Sequence, residues 1–251
     1  MEKENSKKHR FGLVGRDISY SFSKGHFTEK FLRLALPAYT YENFDLKTID
    51  EFKTLVQNNE NLSGLNVTIP YKEVIIPYLD KLDPEAAKIG AVNTIKFTPQ
   101  GLEGYNTDAH GFQRSIEPFL KKNHTKALIL GTGGASKAIA YVFEKLGIAS
   151  KFVSRNPLED QLSYEDLDQS IIENYPILVN CTPLGTVPHI ERKPDIPYQH
   201  ITEKHLLFDL IYNPAKTAYL LEGEKRNATI CNGHRMLELQ AEKSWKIWNS
   251  K

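Results

Sequence analysis

Between the apolar run 127–130 and a segment of helical spacing lies Gly131-Thr132-Gly133-Gly134-Ala135-Ser136. A strand, a glycine turn and a helix in that order make an anion site. Gly131 permits the tight turn and Gly133 lets main-chain amides approach a pyrophosphate. The small Ala135 and Ser136 let the helix start close to the strand, with its N-terminus toward the anion. A glycine triplet alone is often only a turn; the flanking elements make a dinucleotide cofactor the better reading. NAD sites carry an acidic residue about 20 positions on, for the ribose 2′-hydroxyl. Here the strand expected over 151–154 runs through Ser154 into Arg155 and Asn156, with no carboxylate before Glu159. Arg155 can pair with a 2′-phosphate while Ser154 and Asn156 hydrogen-bond to it, which points to NADP(H); an ordinary surface arginine is the plainer alternative.

Three further patches are too polar for plain core strands. Ser19-Tyr20-Ser21-Phe22-Ser23 follows the first apolar run, and Asn66-Val67-Thr68-Ile69-Pro70-Tyr71-Lys72 closes the third. Asn93-Thr94 and Asn106-Thr107-Asp108 stand at later element ends. In open α/β sheets ligands bind beyond the carboxyl ends of strands, so these groups can converge on a small, polyhydroxylated anion. Each has a plainer role. Ser21 and Ser23 can cap a helix, Asn66 and Asn93 can satisfy loop backbone, Lys72 can be a solvated helix residue, and Asp108 a helix N-cap.

The elements that must position these groups alternate along the chain. Strands are expected at 11–14, 39–44, 64–68, 92–97, 127–130, 151–154, 177–181, 206–210 and 229–231. Helices are expected at 24–36, 50–57, 71–79, 108 to about 120, 135–146 and 236–248, with a turn at Pro84. The clearest helix places Ala135, Ala138, Ile139, Val142, Phe143 and Leu146 three and four apart, and Gly147 ends it. This alternation is the pattern of an α/β sheet.

Composition closes off other classes. In 251 residues, 32 Lys+Arg nearly cancel 31 Asp+Glu, so no basic excess suggests nucleic acid. No apolar run reaches the roughly 20 residues of a membrane helix. Residues 1–10 lack the apolar core of a secretory signal and read as a solvated tail. Two cysteines, Cys181 and Cys231, are too few for a disulfide framework or a zinc site, and the eight histidines are scattered, so no metal is expected. A cytoplasmic protein follows from this reading.

In order along the chain, these segments resemble the shikimate dehydrogenase family. Residues 66–72 are similar to its N-V-T-[VI]-P-[FY]-K segment, Gly90 to Thr94 to G-A-V-N-T, and Asn106 to Asp108 to the end of D-N-T-D. Gly131 to Ser136 resembles the family's G-[AT]-G-G-A loop and Ser154 to Asn156 its N-R-T-like clamp. Asn180 to Gly185 resembles N-x-T-P-x-G, Asp209 to Pro214 D-x-x-Y-x-P, and Gly233 to Gln240 G-x-x-M-L-x-x-Q. The resemblance implies an α/β, two-domain fold. It has an N-terminal α/β substrate domain (residues 1–107 and 233–251), a Rossmann-like NADP-binding domain (108–232) and a cleft between them. It implies reversible NADPH-dependent reduction of 3-dehydroshikimate to shikimate, on the route to chorismate and aromatic amino acids.

By the same resemblance, Lys72 and Asp108 are the catalytic pair, and Ser21, Ser23 and Tyr212 grip the substrate carboxylate. Thr68, Asn93 and Gln240 bind ring hydroxyls. Gly131, Thr132, Gly133, Gly134, Ala135, Ser136, Ser154, Arg155, Asn156, Thr182, Leu210 and Gly233 line the cofactor. The chain departs from the family where Asp17, Tyr20 and Lys24 replace two prolines and a histidine of the first motif. Tyr105 replaces the first aspartate of D-N-T-D, and Leu158 and Glu159 stand where a second basic residue often follows the arginine. A quinate/shikimate dehydrogenase using NAD, a methylenetetrahydrofolate dehydrogenase and a catalytically silent NADP-binding relative are the competing readings; monomer and homodimer both remain open.

Overall fold

The computed structural model describes residues 8–19 and 21–250. Tyr20 and residues 1–7 of the expected tail lie outside the described residues; His9 and Arg10 belong to the first strand. The chain divides into two compact units, residues 1–107 with 241–251, and residues 108–240.

The first unit contains β1 (His9–Gly15), α1 (Phe22–Arg33), β2 (Tyr39–Asp45), α2 (Glu51–Asn58), β3 (Leu62–Val67), β4 (Lys81–Leu82), α3 (Pro84–Ile89), β5 (Thr94–Thr98) and β6 (Gly101–Tyr105). Its sheet runs β2-β1-β3-β5-β6-β4. β1 is parallel to β2 and β3, whereas β5 is antiparallel to both β3 and β6. One core cluster gathers Val14, Phe52, Leu65, Ile75 and Ile95. Another gathers Phe11, Phe27, Phe31 and Tyr41 with Trp248.

The second unit contains α4 (Asp108–Ile116), β7 (Lys126–Leu130), α5 (Gly134–Lys145), β8 (Ala149–Val153), α6 (Gln169–Asn174), β9 (Ile177–Asn180), β10 (Leu206–Asp209), α7 (Ala218–Glu224) and β11 (Thr229–Cys231). The last helix, α8 (His234–Asn249), begins in this unit and ends in the first. The five strands are parallel in the order β11-β10-β9-β7-β8. Counted from β7, that is the doubly wound 2-1-3-4-5 arrangement, whose switch point lies between its first and third strands. The mixed α/β class with two sheets agrees with expectation.

Some local expectations change. Residues 71–79 form turns and a single 3-10 turn, Ile76–Tyr78, instead of an α-helix. Pro77 has no N–H, and the flanking amides of Ile76 and Tyr78 bond three residues back, to Glu73 and Ile75. Pro84 starts a helix rather than a turn: Asp83 accepts from the Glu85 amide and Gly90, at φ +70°, ends α3. β6 was not expected, because Gly101 and Gly104 remove the apolar alternation that marks a strand.

Candidate active site

In the first unit, strand direction gathers the polar patches. β1 and β3 run parallel, so the segments after Gly15 and Val67 leave the same end of the sheet. β5 runs the other way, and Asn66 of β3 lies opposite Thr94, so β5 begins at that end. β6 reverses again and pairs Tyr105 with Thr94, so it finishes there. Ser21, Ser23, Thr68, Lys72, Asn93 and Thr107 therefore cluster around one sheet end, with Asp108 one peptide bond further.

Hydrogen bonds fix the relative places of these groups. The Lys72 carbonyl accepts from the Val92 amide at 2.7 Å. The next residue, Asn93, accepts from the Thr107 amide at 2.7 Å and donates to the Thr107 hydroxyl at 3.0 Å. Asn106 donates to the Ala91 carbonyl at 2.9 Å. Residues 91–93 thus tie the turn carrying Lys72 to the segment that leads into Asp108. Asn66 donates to the Asn93 carbonyl and to the hydroxyls of Thr94 and Ser244, at 3.2, 3.2 and 3.0 Å. These bonds satisfy backbone and hold neighbouring side chains. Thr68 is half-buried, its amide on Val14 and its carbonyl accepting from Tyr71.

Ser21 caps α1, accepting from the Lys24 amide at 3.2 Å. Ser23, in the first turn, hydrogen-bonds the Tyr41 hydroxyl, which donates to Asn66 at 2.8 Å. Burial pushes the Tyr41 phenol far up, with the Ser23 bond opposing, so it stays protonated. Helix α1 is held by Lys30, 6 % exposed, whose ammonium meets both oxygens of Glu242 at 2.6 Å.

In the second unit, the glycine turn follows β7 and the Asn180 to Gly185 segment follows β9, so both flank the switch point. Gly131 has φ +107°, a backbone region that other residues adopt only under strain. A Cβ on Gly133 would meet nothing within 4 Å, which leaves the N-terminus of the twelve-residue α5 uncovered beside Gly134 and Ala135. Ser136 is buried and donates to the Gly133 carbonyl at 2.5 Å, which shapes the turn. Thr132, Arg155 and Asn156 are exposed. The Asn156 amide donates to the Ser154 hydroxyl at 3.2 Å, curling the chain after β8. A glycine at positive φ, an open helix N-terminus and an exposed arginine after the second strand fit a phosphorylated dinucleotide.

Thr182 donates through both amide and hydroxyl to the Asn180 side chain, at 3.0 and 2.7 Å. The Leu210 amide donates to the Asn180 carbonyl at 3.0 Å. A Cβ on Gly233 would collide with the Leu210 carbonyl, so the start of α8 approaches the end of β10 as only glycine allows. Tyr212 is half-buried, and burial pushes its phenol up. Asp108 is 1 % exposed and begins α4. One turn on, a Cβ at Gly111 would lie 3.3 Å from the Cβ of Gln240, so Gln240 packs near the face that Asp108 shares. Sequence reasoning assigned no role to Asn180, Asp209 or Thr217, although the first two stand inside the quoted motifs; Tyr41 and Ser244 carried no signal.

A family model described as the shikimate dehydrogenase substrate binding domain matches residues 13–95. The shikimate dehydrogenase (NADP(+)) of Methanosphaera stadtmanae is 35% identical, over 96% of this chain and 91% of that protein. The chain belongs to the shikimate dehydrogenase family. The family's enzyme from Methanococcus maripaludis, also named as NADP(+)-dependent, is 37% identical over 97% of this chain and 93% of its own. Among solved structures, a shikimate dehydrogenase in complex with NADP+ superposes with TM-score 0.85 at 31% identity, covering 98% of this chain and 91% of the other. The Thermus thermophilus shikimate dehydrogenase, in complex with NADP(H) and shikimate, gives TM-score 0.84 at 27% identity, covering 96% and 93%. The membership expected from the ordered motifs is borne out over nearly the whole chain.

Proposed function

We propose that the chain is an NADP-dependent shikimate dehydrogenase, reducing the ring ketone of 3-dehydroshikimate to shikimate and reversing that step. The observation that carries this reading is the hydrogen-bonded series from the Lys72 carbonyl through Val92 and Asn93 to Thr107. It fixes the base of an ammonium-bearing turn against the residue that precedes a buried carboxylate. Family membership over 96% of the chain supplies the substrate class.

NADPH, when bound, supplies the hydride. The glycine turn at Gly131 to Gly134 and the N-terminus of α5 would hold its pyrophosphate, and Arg155, flanked by Ser154 and Asn156, would take the 2′-phosphate. Ser136 shapes that turn, while Thr182, Leu210 and Gly233 would line the cofactor. Lys72 gives a proton to the ring oxygen as it becomes a hydroxyl, and takes one in reverse. Asp108 accepts from the Lys72 ammonium and orients it. General acid catalysis of this kind contributes about 10²–10⁴-fold. Hydroxyls of Ser21, Ser23 and Tyr212 donate to the substrate carboxylate, and Thr68, Asn93 and Gln240 bind ring hydroxyls. The reaction is cytoplasmic, and the chain acts as a monomer or homodimer, which sedimentation distinguishes.

The test is spectrophotometric: purified protein with shikimate and NADP+, then NAD+, then quinate in place of shikimate. Shikimate oxidation with a higher kcat/KM for NADP+ is expected. No turnover of shikimate with either cofactor would overturn the reading, and a preference for quinate with NAD+ would reassign the substrate.

A further inference from the structure

One buried carboxylate stands among the motif residues without a part in the chemistry. Asp209 ends β10 and is 0% exposed. Its oxygens accept three hydrogen bonds: from the Ile211 amide at 3.0 Å, the Asn180 side chain at 3.0 Å and the Thr217 hydroxyl at 2.5 Å. Each partner belongs to a segment that carries a binding residue. Ile211 lies between Leu210 and Tyr212. Thr217 closes the same turn and caps α7. Asn180 precedes the turn of Thr182.

The Asn180 link works through amide geometry. A carboxylate without a proton only accepts, so it must face the NH₂ end of the amide. The carbonyl end is then turned toward Thr182, where it receives both amide and hydroxyl. Asp209 and Asn180 lie 29 residues apart but sit opposite each other in the β9–β10 register. One group therefore sets two neighbouring turns at the carboxyl ends of adjacent strands, where ligands of such sheets bind.

We propose that Asp209 is a positioning residue, fixing the turn that carries Leu210 and Tyr212 and, through Asn180, the turn that carries Thr182. This rests on the binding roles given above to those three residues. Asp209 acts by shape and hydrogen bonding and moves no proton in the reaction. An asparagine at 209 can keep the two acceptances on one oxygen and reverse the third bond, because the Thr217 hydroxyl accepts as well as donates. Alanine removes all three.

The experiment measures KM for shikimate, kcat, and the Kd of NADPH by fluorescence titration without shikimate, for the native protein, Asp209→Ala, Asp209→Asn and Thr217→Val. Asp209→Ala is expected to raise KM and Kd by about tenfold with kcat within about threefold of native, the size of effect that goes with lost bonds to a charged group. Asp209→Asn should rescue most of both losses. Thr217→Val, which keeps the shape and removes one bond, should raise both by about threefold and carries the test if the alanine variant does not fold. Native KM and Kd in Asp209→Ala, or in Thr217→Val when that variant stands alone, would overturn the proposal. So would a collapse of kcat in Asp209→Asn with loss of one limb of the pH profile, which would mark a proton-transfer group. If the native protein binds NADPH but leaves shikimate unoxidised, the substrate reading fails while Asp209 is still judged on Kd; a native protein that binds no NADPH overturns both.

Discussion

Lys72 hangs from a backbone whose carbonyl is held by Val92, so deleting its side chain removes an ammonium without undoing that link. Lys72→Ala is expected to lower kcat by about 10²–10⁴-fold with little change in KM, and near-native turnover would count against its role as acid. The two serines divide differently. Ser21 is also the cap of α1, so Ser21→Ala should lose about 1 kcal/mol of stability as well as raise KM. Ser23→Ala should raise KM with a smaller effect on the melting temperature, and thermal melts beside steady-state kinetics separate the pair. Residue types and short spacings made these groups candidates in the sequence. The Asp209–Asn180 bond was not, because it joins positions that meet only when β9 and β10 pair in register.

At the scale of elements, close approach is the sensitive feature. A methyl group on Gly233 would press into the Leu210 carbonyl, so the start of α8 would have to shift. Gly233→Ala should lose about 1–3 kcal/mol, in the range of overpacked sites, and bind NADPH more weakly; a native melt and native titration would contradict this. Periodicity revealed the long elements, such as α5 with its 3- and 4-residue spacing. It failed where proline or glycine interrupted it: Pro77 broke the helix expected at 71–79, and two glycines hid β6. Helices α6 and α7 went unassigned because six and seven residues are too few to show a period.

For the molecule as a whole, alternating elements announced the α/β class, but strand order and the antiparallel β5 and β6 depend on pairings that no local pattern encodes. Stability of the second unit should also depend on pH. His124 is buried; one ring nitrogen accepts from the Lys121 amide at 3.1 Å and the other donates to the Lys204 carbonyl at 3.3 Å. That arrangement needs the neutral ring, and burial holds its pKa below 6.5. A base with a lowered folded value favours the unfolded chain once protonated, so its contribution is present above about 6.5 and declines as pH falls through the lowered value. Asp209 opposes this in part, since burial pushes it up to about 6, so proton uptake there in the folded chain offsets some of the loss as pH falls. The native melting temperature should therefore fall more than that of His124→Gln between about pH 7 and about pH 5. Equal declines would remove His124 from the account.

Trp248 fills the same cluster as Phe11 and Phe27 and donates to the Ile95 carbonyl at 3.0 Å. During synthesis, the strands of the first unit leave the ribosome early and must wait for that indole, while residues 108–240 can collapse as soon as they emerge. The later unit is thus free to mature before the earlier one. A chain released after Gln240 should show a protease-resistant fragment from the later half and rapid cleavage of the earlier one.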